Sequence, residues 1–534
     1  MIALREGIFA LGDDFDQGGV FLNRDKQKNM PLADPLKEYI DSGRISFHIP
    51  GHKGRGSSAG MQALAELFSD RTLAADITEI DGFDDLHHPE GVIREAQRLA
   101  ADLFGAEETF FLVNGTTSGI MAAVASVAYE NAPILVCRDC HKSVTRGLIL
   151  SGAMPIYIEN KFDDELEIPC GISVSSVREA LENNPGVKGL ILTNPSYYGT
   201  YSDLEEIVKL CHSRGAAVIA DEAHGAQLYF TDQEGIREAL CVGCDISVQS
   251  THKMLGSLTQ SSMLHVRGDI VDRKRLRYNV SFMNSTSPSY LLMSSLDAVR
   301  RSMAESGRGI WKDVLSLVSD AQKAIGCIDG MRCITHFTDA DGIHRRLEGS
   351  RLLISAQQLG LSGTRLAELL TQKHRIDVEF SDDIYIIAVG GSGSQKQEFD
   401  ALVQALKEIS EEYKDRNGDE TRRIVSIGQK TRRKETSFSH HSVMSPRNAF
   451  YSEHEVIPLK EAEGRTAAFE AAVYPPGMPV LYPGEAITEE IRDFLLDEID
   501  KGSHLHGIIY EEDGMPMICV VAGKEESMLF SMLF

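Results

Sequence analysis

The chain has 534 residues, more than one hydrophobic core sustains, so two or three domains are expected. Its 54 Lys and Arg stand against 79 Asp and Glu, and the net charge of −25 argues against nucleic acid or anionic membranes as partners. No run of about 20 apolar residues offers a membrane span, the start Met1-Ile2-Ala3-Leu4-Arg5-Glu6 lacks the pattern of a signal peptide, and nine cysteines without a small disulfide scaffold indicate a reducing, cytoplasmic setting.

The first 30 residues have weak periodicity and read as an arm. From about residue 90 helix and strand patterns alternate. Val92, Ile93, Ala96, Leu99, Ala100, Leu103 and Phe104 share one face of a 3.6-period helix. Thr109–Val113 is a buried-strand run ending in Asn114-Gly115-Thr116-Thr117-Ser118-Gly119, and a helix of small residues over Ile120–Tyr129 follows. Further strand runs are Pro133–Val136, Pro155–Ile158, Gly189–Thr193, Ala216–Ala220 and Asp245–Val248. Between them Asp203–Arg214 is amphipathic, with Asp203 as N-cap. This alternation specifies an α/β fold with a mostly parallel sheet covered on both faces and ligands at the carboxyl ends of its strands.

Residues 290–320 read as a long helical connection. Over 330–410, a strand at Asp383–Val389 and an amphipathic helix at Phe399–Ile409 suggest a smaller α/β unit. Glu411–Thr436 is dense in charge and reads as a linker, after which Val443 to about 525 is apolar enough to pack again. The expected division is an arm at 1–45, a large cofactor-binding domain at 46–315, a small α/β domain at 316–415, a charged linker at 416–440 and a C-terminal domain at 441–534.

The chemistry lies at the strand ends. Ser250-Thr251-His252-Lys253 follows one apolar run and Ala220-Asp221-Glu222-Ala223-His224-Gly225 ends another. An S-x-x-K alone is more often a surface lysine beside a helix cap. Paired with a buried aspartate it answers the needs of pyridoxal 5'-phosphate: a lysine for the Schiff base and a carboxylate to keep the pyridine nitrogen protonated. Asn114–Gly119 sits between a strand and a helix N-terminus, where backbone N–H groups and the hydroxyls of Thr116 and Thr117 suit a monophosphate. It is not a Walker loop. In Arg138-Asp139-Cys140-His141-Lys142-Ser143 a histidine follows the next strand and can lie flat on a planar ring. Asn194-Pro195-Ser196-Tyr197-Tyr198-Gly199 puts polar groups over the same rim, and Ser250 and His252 can both donate to the phosphate. The C-x-x-C pairs Cys137/Cys140 and Cys241/Cys244 lie about a hundred residues apart within one α/β core and read as reduced thiols, so no metal site is expected.

In this order the motifs resemble the Orn/Lys/Arg decarboxylase family of fold-type-I, aminotransferase-like pyridoxal-phosphate enzymes. The resemblance extends to Phe47-His48-Ile49-Pro50-Gly51-His52-Lys53-Gly54, Phe83-Asp84-Asp85-Leu86-His87-His88-Pro89-Glu90-Gly91, Ser285-Thr286-Ser287-Pro288-Ser289-Tyr290 and Tyr474-Pro475-Pro476-Gly477-Met478-Pro479-Val480. It implies that Gly115, Thr116 and Thr117 bind phosphate with Ser250 and His252. It also implies that His141 stacks on the ring, Ser196 and His224 lie beside the cofactor, Asp221 pairs with the pyridine nitrogen, and Lys253 carries the covalent link. Catalysis then rests on Lys253, His141 and Asp221. Family members are dimers with interface sites, so Thr286 and Ser287 are expected to reach the neighbour's cofactor.

The chain begins almost directly at the opening motif, without the wing domain of the large acid-induced enzymes. It therefore resembles the short biosynthetic form, expected as a homodimer or a dimer-derived tetramer. Gln227 stands where relatives commonly have a second histidine. The function implied is decarboxylation of a basic L-amino acid, arginine to agmatine in polyamine biosynthesis. Lysine to cadaverine and ornithine to putrescine are the alternatives, and an aminotransferase is a more distant one. For a guanidinium-binding carboxylate the candidates are Asp84, Asp85 and Glu485. For an aminotransferase's carboxylate-binding arginine they are Arg345, Arg346 and Arg351.

Overall fold

The structure, a computed structural model, describes residues 24–56, 60–414, 438, 440–474 and 479–523. Most of the expected linker at 416–440, the first half of the arm, and Pro475–Met478 of the late motif lie outside the described residues. No helix among the described residues is long and apolar enough to cross a membrane.

A seven-stranded sheet forms the centre: β1 (Glu108–Leu112), β2 (Pro133–Cys137), β3 (Met154–Ile158), β4 (Gly189–Thr193), β5 (Ala217–Asp221), β6 (Ile246–Gln249) and β7 (Ser262–Val266), in the order β1-β7-β6-β5-β4-β2-β3. The strands β2 to β6 are mutually parallel, while β7 is antiparallel to both β6 and β1. Successive side chains of a strand face opposite sides. In β5, Ala217 and Ile219 join the core on one face while Val218 and Ala220 join the core on the other. Burial on both sides is why such strands read as unbroken apolar runs. The helix after β1 spans Gly115–Val127, so Thr116, Thr117 and Ser118 form its first turn rather than a loop ahead of it.

A 37-residue helix, Tyr290–Gly326, leads out of this layer with Trp311 fully buried along it. Beyond it lies a four-stranded antiparallel sheet ordered Phe380–Ser381, Ile386–Val389, Arg351–Ser355, Arg332–Ile334, with the helix Lys396–Tyr413 nearby in sequence. The strand expected from Asp383 starts only at Ile386. The Asp382 carboxylate accepts the N–H groups of Ile384 and Tyr385, both at 2.7 Å, and holds a turn there. The C-terminal segment builds its own core from Leu459, Leu481, Ile491, Phe494 and Val520.

The described part of the arm is fastened to the long helix by a buried ion pair. Arg300 Nη2 lies 2.7 Å from Asp297 Oδ1, and both side chains are inaccessible to water. Asp297 Oδ2 accepts the N–H of Leu32 at 3.0 Å, and Arg300 Nη1 donates to the Gln27 carbonyl at 2.5 Å. Removing one partner of such a pair strands the other charge. Asp297→Ala is therefore expected to cost about 3 kcal/mol, read as a lower thermal midpoint, and to release the segment before Ala33 to limited proteolysis.

Candidate active site

The carboxyl ends of β1, β2, β4, β5 and β6 share one rim, because β1 and β6 are both antiparallel to β7 and so run the same way. Lys253 sits in the helical turn Thr251–Met254 directly after β6. Its Nζ is 3.0 Å from Nε2 of His224 and 6.0 Å from the centroid of the Tyr197 ring, which meets the His224 ring at 4.7 Å. Lys253 is exposed in area because the cleft above it is open, yet surrounding protein desolvates its ammonium and lowers its pKa, against the raising effect of Asp221 and Glu379. His224 is desolvated more deeply and lies beside that ammonium, so its pKa falls well below the ordinary imidazole value. The His224 carbonyl is held from behind by Gln227 Nε2 at 2.9 Å and Arg351 Nη2 at 3.4 Å.

Asp221 ends β5 and is 4% exposed, with the Ala223 N–H bonded to its Oδ1 at 3.1 Å. Burial raises its pKa to about 6. The carboxylate thus sits where a cationic N–H partner would stabilise it.

Around the first turn of Gly115–Val127, Thr116 Oγ1 lies 2.6 Å from Ser250 Oγ and 3.1 Å from Ser262 Oγ, which joins the starts of a helix, a turn and β7. Gly115 has φ +70°, and the space where a Cβ would project is open. The first backbone N–H groups of a helix have no partner within it, and here hydroxyls stand beside them. His252 Nδ1 is 2.8 Å from the Ser261 carbonyl, so it must carry the proton, and Nε2 can donate only when the ring is protonated.

His141 caps the helix Lys142–Ser151, its Nδ1 accepting the Ser143 N–H at 3.2 Å. That leaves the proton of the neutral ring on Nε2. Desolvation, then the Lys253 charge, lower its pKa to about 4. An imidazole at a helix start, a turn lined by hydroxyls, a buried carboxylate and an exposed amine fit pyridoxal phosphate, which would bring a cationic ring nitrogen, a phosphate and a carbonyl carbon.

Other expected residues are placed elsewhere. Ser196 Oγ is engaged by Thr200 Oγ1 at 2.5 Å, and the side chain of that segment facing Lys253 is Tyr197. Thr286 and Ser287 are exposed on the loop before the long helix, and no hydrogen bond among the described residues links them to the Lys253 cluster. Asp84 caps the helix Val92–Phe104 by accepting the N–H groups of Glu90, Gly91 and Ile93, while Asp85 accepts that of His87. Glu485 is buried against Arg138 at 2.7 Å. Asp84 and Glu485 are thus taken up by contacts within the chain, while Asp85 remains exposed. Of the arginines, Arg351 is buried 3.4 Å from Glu348, and Arg345 pairs with Asp339.

Besides Asp221, a second carboxylate bears on Lys253: Glu379, whose charge acts on Lys253 and His252 and whose Oε1 accepts from Tyr197 OH at 2.6 Å. Nothing in the sequence around Glu379 marks it; it reaches the cleft only because the small sheet folds back over the large one. A cavity of ≈ 980 Å³ bordered by Asp163–Leu166 and Met331–Gly342 lies apart from this cluster.

The Orn/Lys/Arg decarboxylase major domain matches residues 30–344, and the family's C-terminal domain matches 429–525. An arginine decarboxylase of Bacillus subtilis (strain 168) is 37% identical over 496 residues, 93% of this chain and 98% of that protein. One of Halalkalibacterium halodurans is 38% identical over 483 residues, 90% of this chain and 96% of that protein. Among solved structures, lysine decarboxylase A from Pseudomonas aeruginosa superposes with a TM-score of 0.80 at 22% identity, covering 94% of this chain and 81% of that one, a likeness of fold. With a mostly parallel layer, a lysine and an aspartate on one rim, and both domain matches in place, this chain belongs to the Orn/Lys/Arg decarboxylase family and is a pyridoxal-phosphate-dependent amino-acid decarboxylase.

Proposed function

We propose that this chain decarboxylates L-arginine to agmatine in polyamine biosynthesis in the cytoplasm. The carrying observation is that relatives named arginine decarboxylase match nearly the whole chain at 37% and 38% identity, against 25% and 24% for relatives named lysine decarboxylase. Lysine and ornithine are the competing substrates.

Bound pyridoxal phosphate supplies an electron sink for the pair left at Cα as carbon dioxide departs. Asp221 holds the proton on the pyridine nitrogen and is stabilised in return. Lys253, its ammonium destabilised by desolvation, offers Nζ for the covalent link and afterwards holds a proton for Cα. His141 would lie on the ring as a neutral imidazole, and it becomes the second source of that proton only after its ring has itself taken one up. Thr116, Thr117 and Ser250 take the phosphate with the helix N–H groups starting at Gly115. His252 joins them as an imidazolium, which a phosphate dianion favours. Ser196 orders the turn that carries Tyr197, and His224 accepts an N–H from Lys253. Glu379 receives the cationic end of the substrate.

The site is shared between two copies in this reading. Ile45, Phe47 and Ile49 are 75%, 95% and 62% exposed, more apolar surface than a short segment ordinarily leaves to water, and Thr286 and Ser287 are free to face another subunit. A homodimer, or a tetramer built from it, covers both.

Purified holoenzyme incubated separately with arginine, lysine and ornithine is expected to yield agmatine as the main product, identified by mass. Cadaverine or putrescine as main product overturns the arginine assignment. Glu379→Gln is expected to raise KM for arginine about tenfold or more, the worth of a charge-assisted hydrogen bond.

Lys253→Ala is expected to abolish turnover and leave no cofactor fixed by borohydride. Asp221→Asn should still bind cofactor and lose about a hundredfold or more in kcat, since an amide cannot hold the ring proton. Near-normal turnover in either variant removes that residue from the site.

Co-expression of Lys253→Ala chains with chains substituted at Thr286 and Ser287, each inactive alone, is expected to restore part of the activity in doubly tagged heterodimers. Heterodimers without activity mean that each subunit builds its site alone.

A further inference from the structure

The turn that carries His141 is gripped by a different part of the chain. Arg138 Nη1 and Nη2 donate to Glu485 Oε1 and Oε2 at 2.7 and 2.8 Å. Nη2 also donates to the Val480 carbonyl at 3.2 Å and lies 2.7 Å from His440 Nδ1. The guanidinium lies over the stacked rings of Tyr157 and Tyr482, 5.1 and 4.9 Å from their centroids. Tyr482 OH donates to the Arg138 carbonyl, and its N–H donates to Glu485 Oε2 at 2.8 Å. At the far end of the helix that His141 caps, Arg447 Nη1 donates to the Leu150 carbonyl at 2.7 Å. The C-terminal segment therefore holds the helix Lys142–Ser151 at both ends.

A buried pair of this kind adds little net stability over an apolar packing of the same volume, but it fixes a register. Arg138 and Glu485 are 6% and 1% exposed, and His141 is three residues beyond Arg138. We propose that Glu485 and Tyr482 are positioning residues for decarboxylation, through which the C-terminal segment sets His141 against the cofactor ring. The proposal rests on the reading that His141 lies on that ring.

The test uses full-length holoenzyme carrying Glu485→Gln or Tyr482→Phe, each alone and in a His141→Ala background. With His141 present, each change is expected to lower kcat about 10- to 100-fold, the effect of a small misplacement at a reacting centre, with KM changed less than about twofold. Each is also expected to weaken the visible circular dichroism of the bound cofactor. In the His141→Ala background neither change should lower kcat or the dichroic band further, since groups acting through one another are non-additive. Equal losses in both backgrounds, or no loss with His141 present, overturn the proposal while leaving His141 in its role. A His141→Ala enzyme with near-normal kcat and dichroism overturns the role of His141 itself. Tyr482→Phe removes one hydroxyl only and carries the test if Glu485→Gln does not fold.

Discussion

Asp221 ends the central parallel strand with its carboxylate out of water and one backbone N–H, that of Ala223, bonded to it. An isolated carboxylate in such a place shifts toward its neutral form. A cation facing it reverses the shift, and the Lys253 ammonium does so only in part. In the proposed site the pyridine N–H of the cofactor would complete the pair. Burial would thus turn an electrostatic cost into a selective affinity, because the same enclosure that penalises the bare carboxylate would strengthen its hold on a protonated ring. The turn at Gly115 and the lysine would then need only align with an axis that Asp221 has already set.

The next residue, Glu222, points to the other side of the sheet and meets a different solution. Its carboxylate accepts from Ser247 Oγ at 2.6 Å, Gln249 Nε2 at 2.9 Å and the Ala239 N–H at 2.8 Å. Gln249 Oε1 lies 3.2 Å from His265 Nε2, and His265 Nδ1 lies 2.8 Å from Thr109 Oγ1. Burial raises Glu222 to about 7 and lowers His265 to about 3. The chain of bonds crosses β5, β6, β7 and β1, so polar groups stitch the parallel strands to the antiparallel pair and keep the rim in register.

That stitching also explains where the sequence was hard to read. The parallel strands are apolar on both faces and declare themselves within a residue of their true ends. β7 carries serine and histidine inward, because its partners are polar groups on neighbouring strands, and no local pattern announces it. The positions of the Gly115 turn, Asp221 and Lys253 were legible because each stands at or just after a strand end. Tyr197 and Glu379 were not: one is masked among its neighbours, and the other belongs to the small sheet. Glu485 was legible as an acid but not in its role, since its partner lies 347 positions away in sequence.

The helix Tyr290–Gly326 is about 55 Å long at 1.5 Å per residue. It joins the layer that holds Lys253 to the unit that holds Glu379, and packing along its length, Trp311 included, holds it in place. The two jaws of the cleft are therefore set by a rod rather than by loops, and the instrument that results is a caliper. If Glu379 receives the cationic end of the substrate, a side chain one methylene too short would leave the far jaw unmet, and one too long would be crowded. Selectivity for length would then be a mechanical tolerance, open to adjustment from buried positions that never meet the substrate.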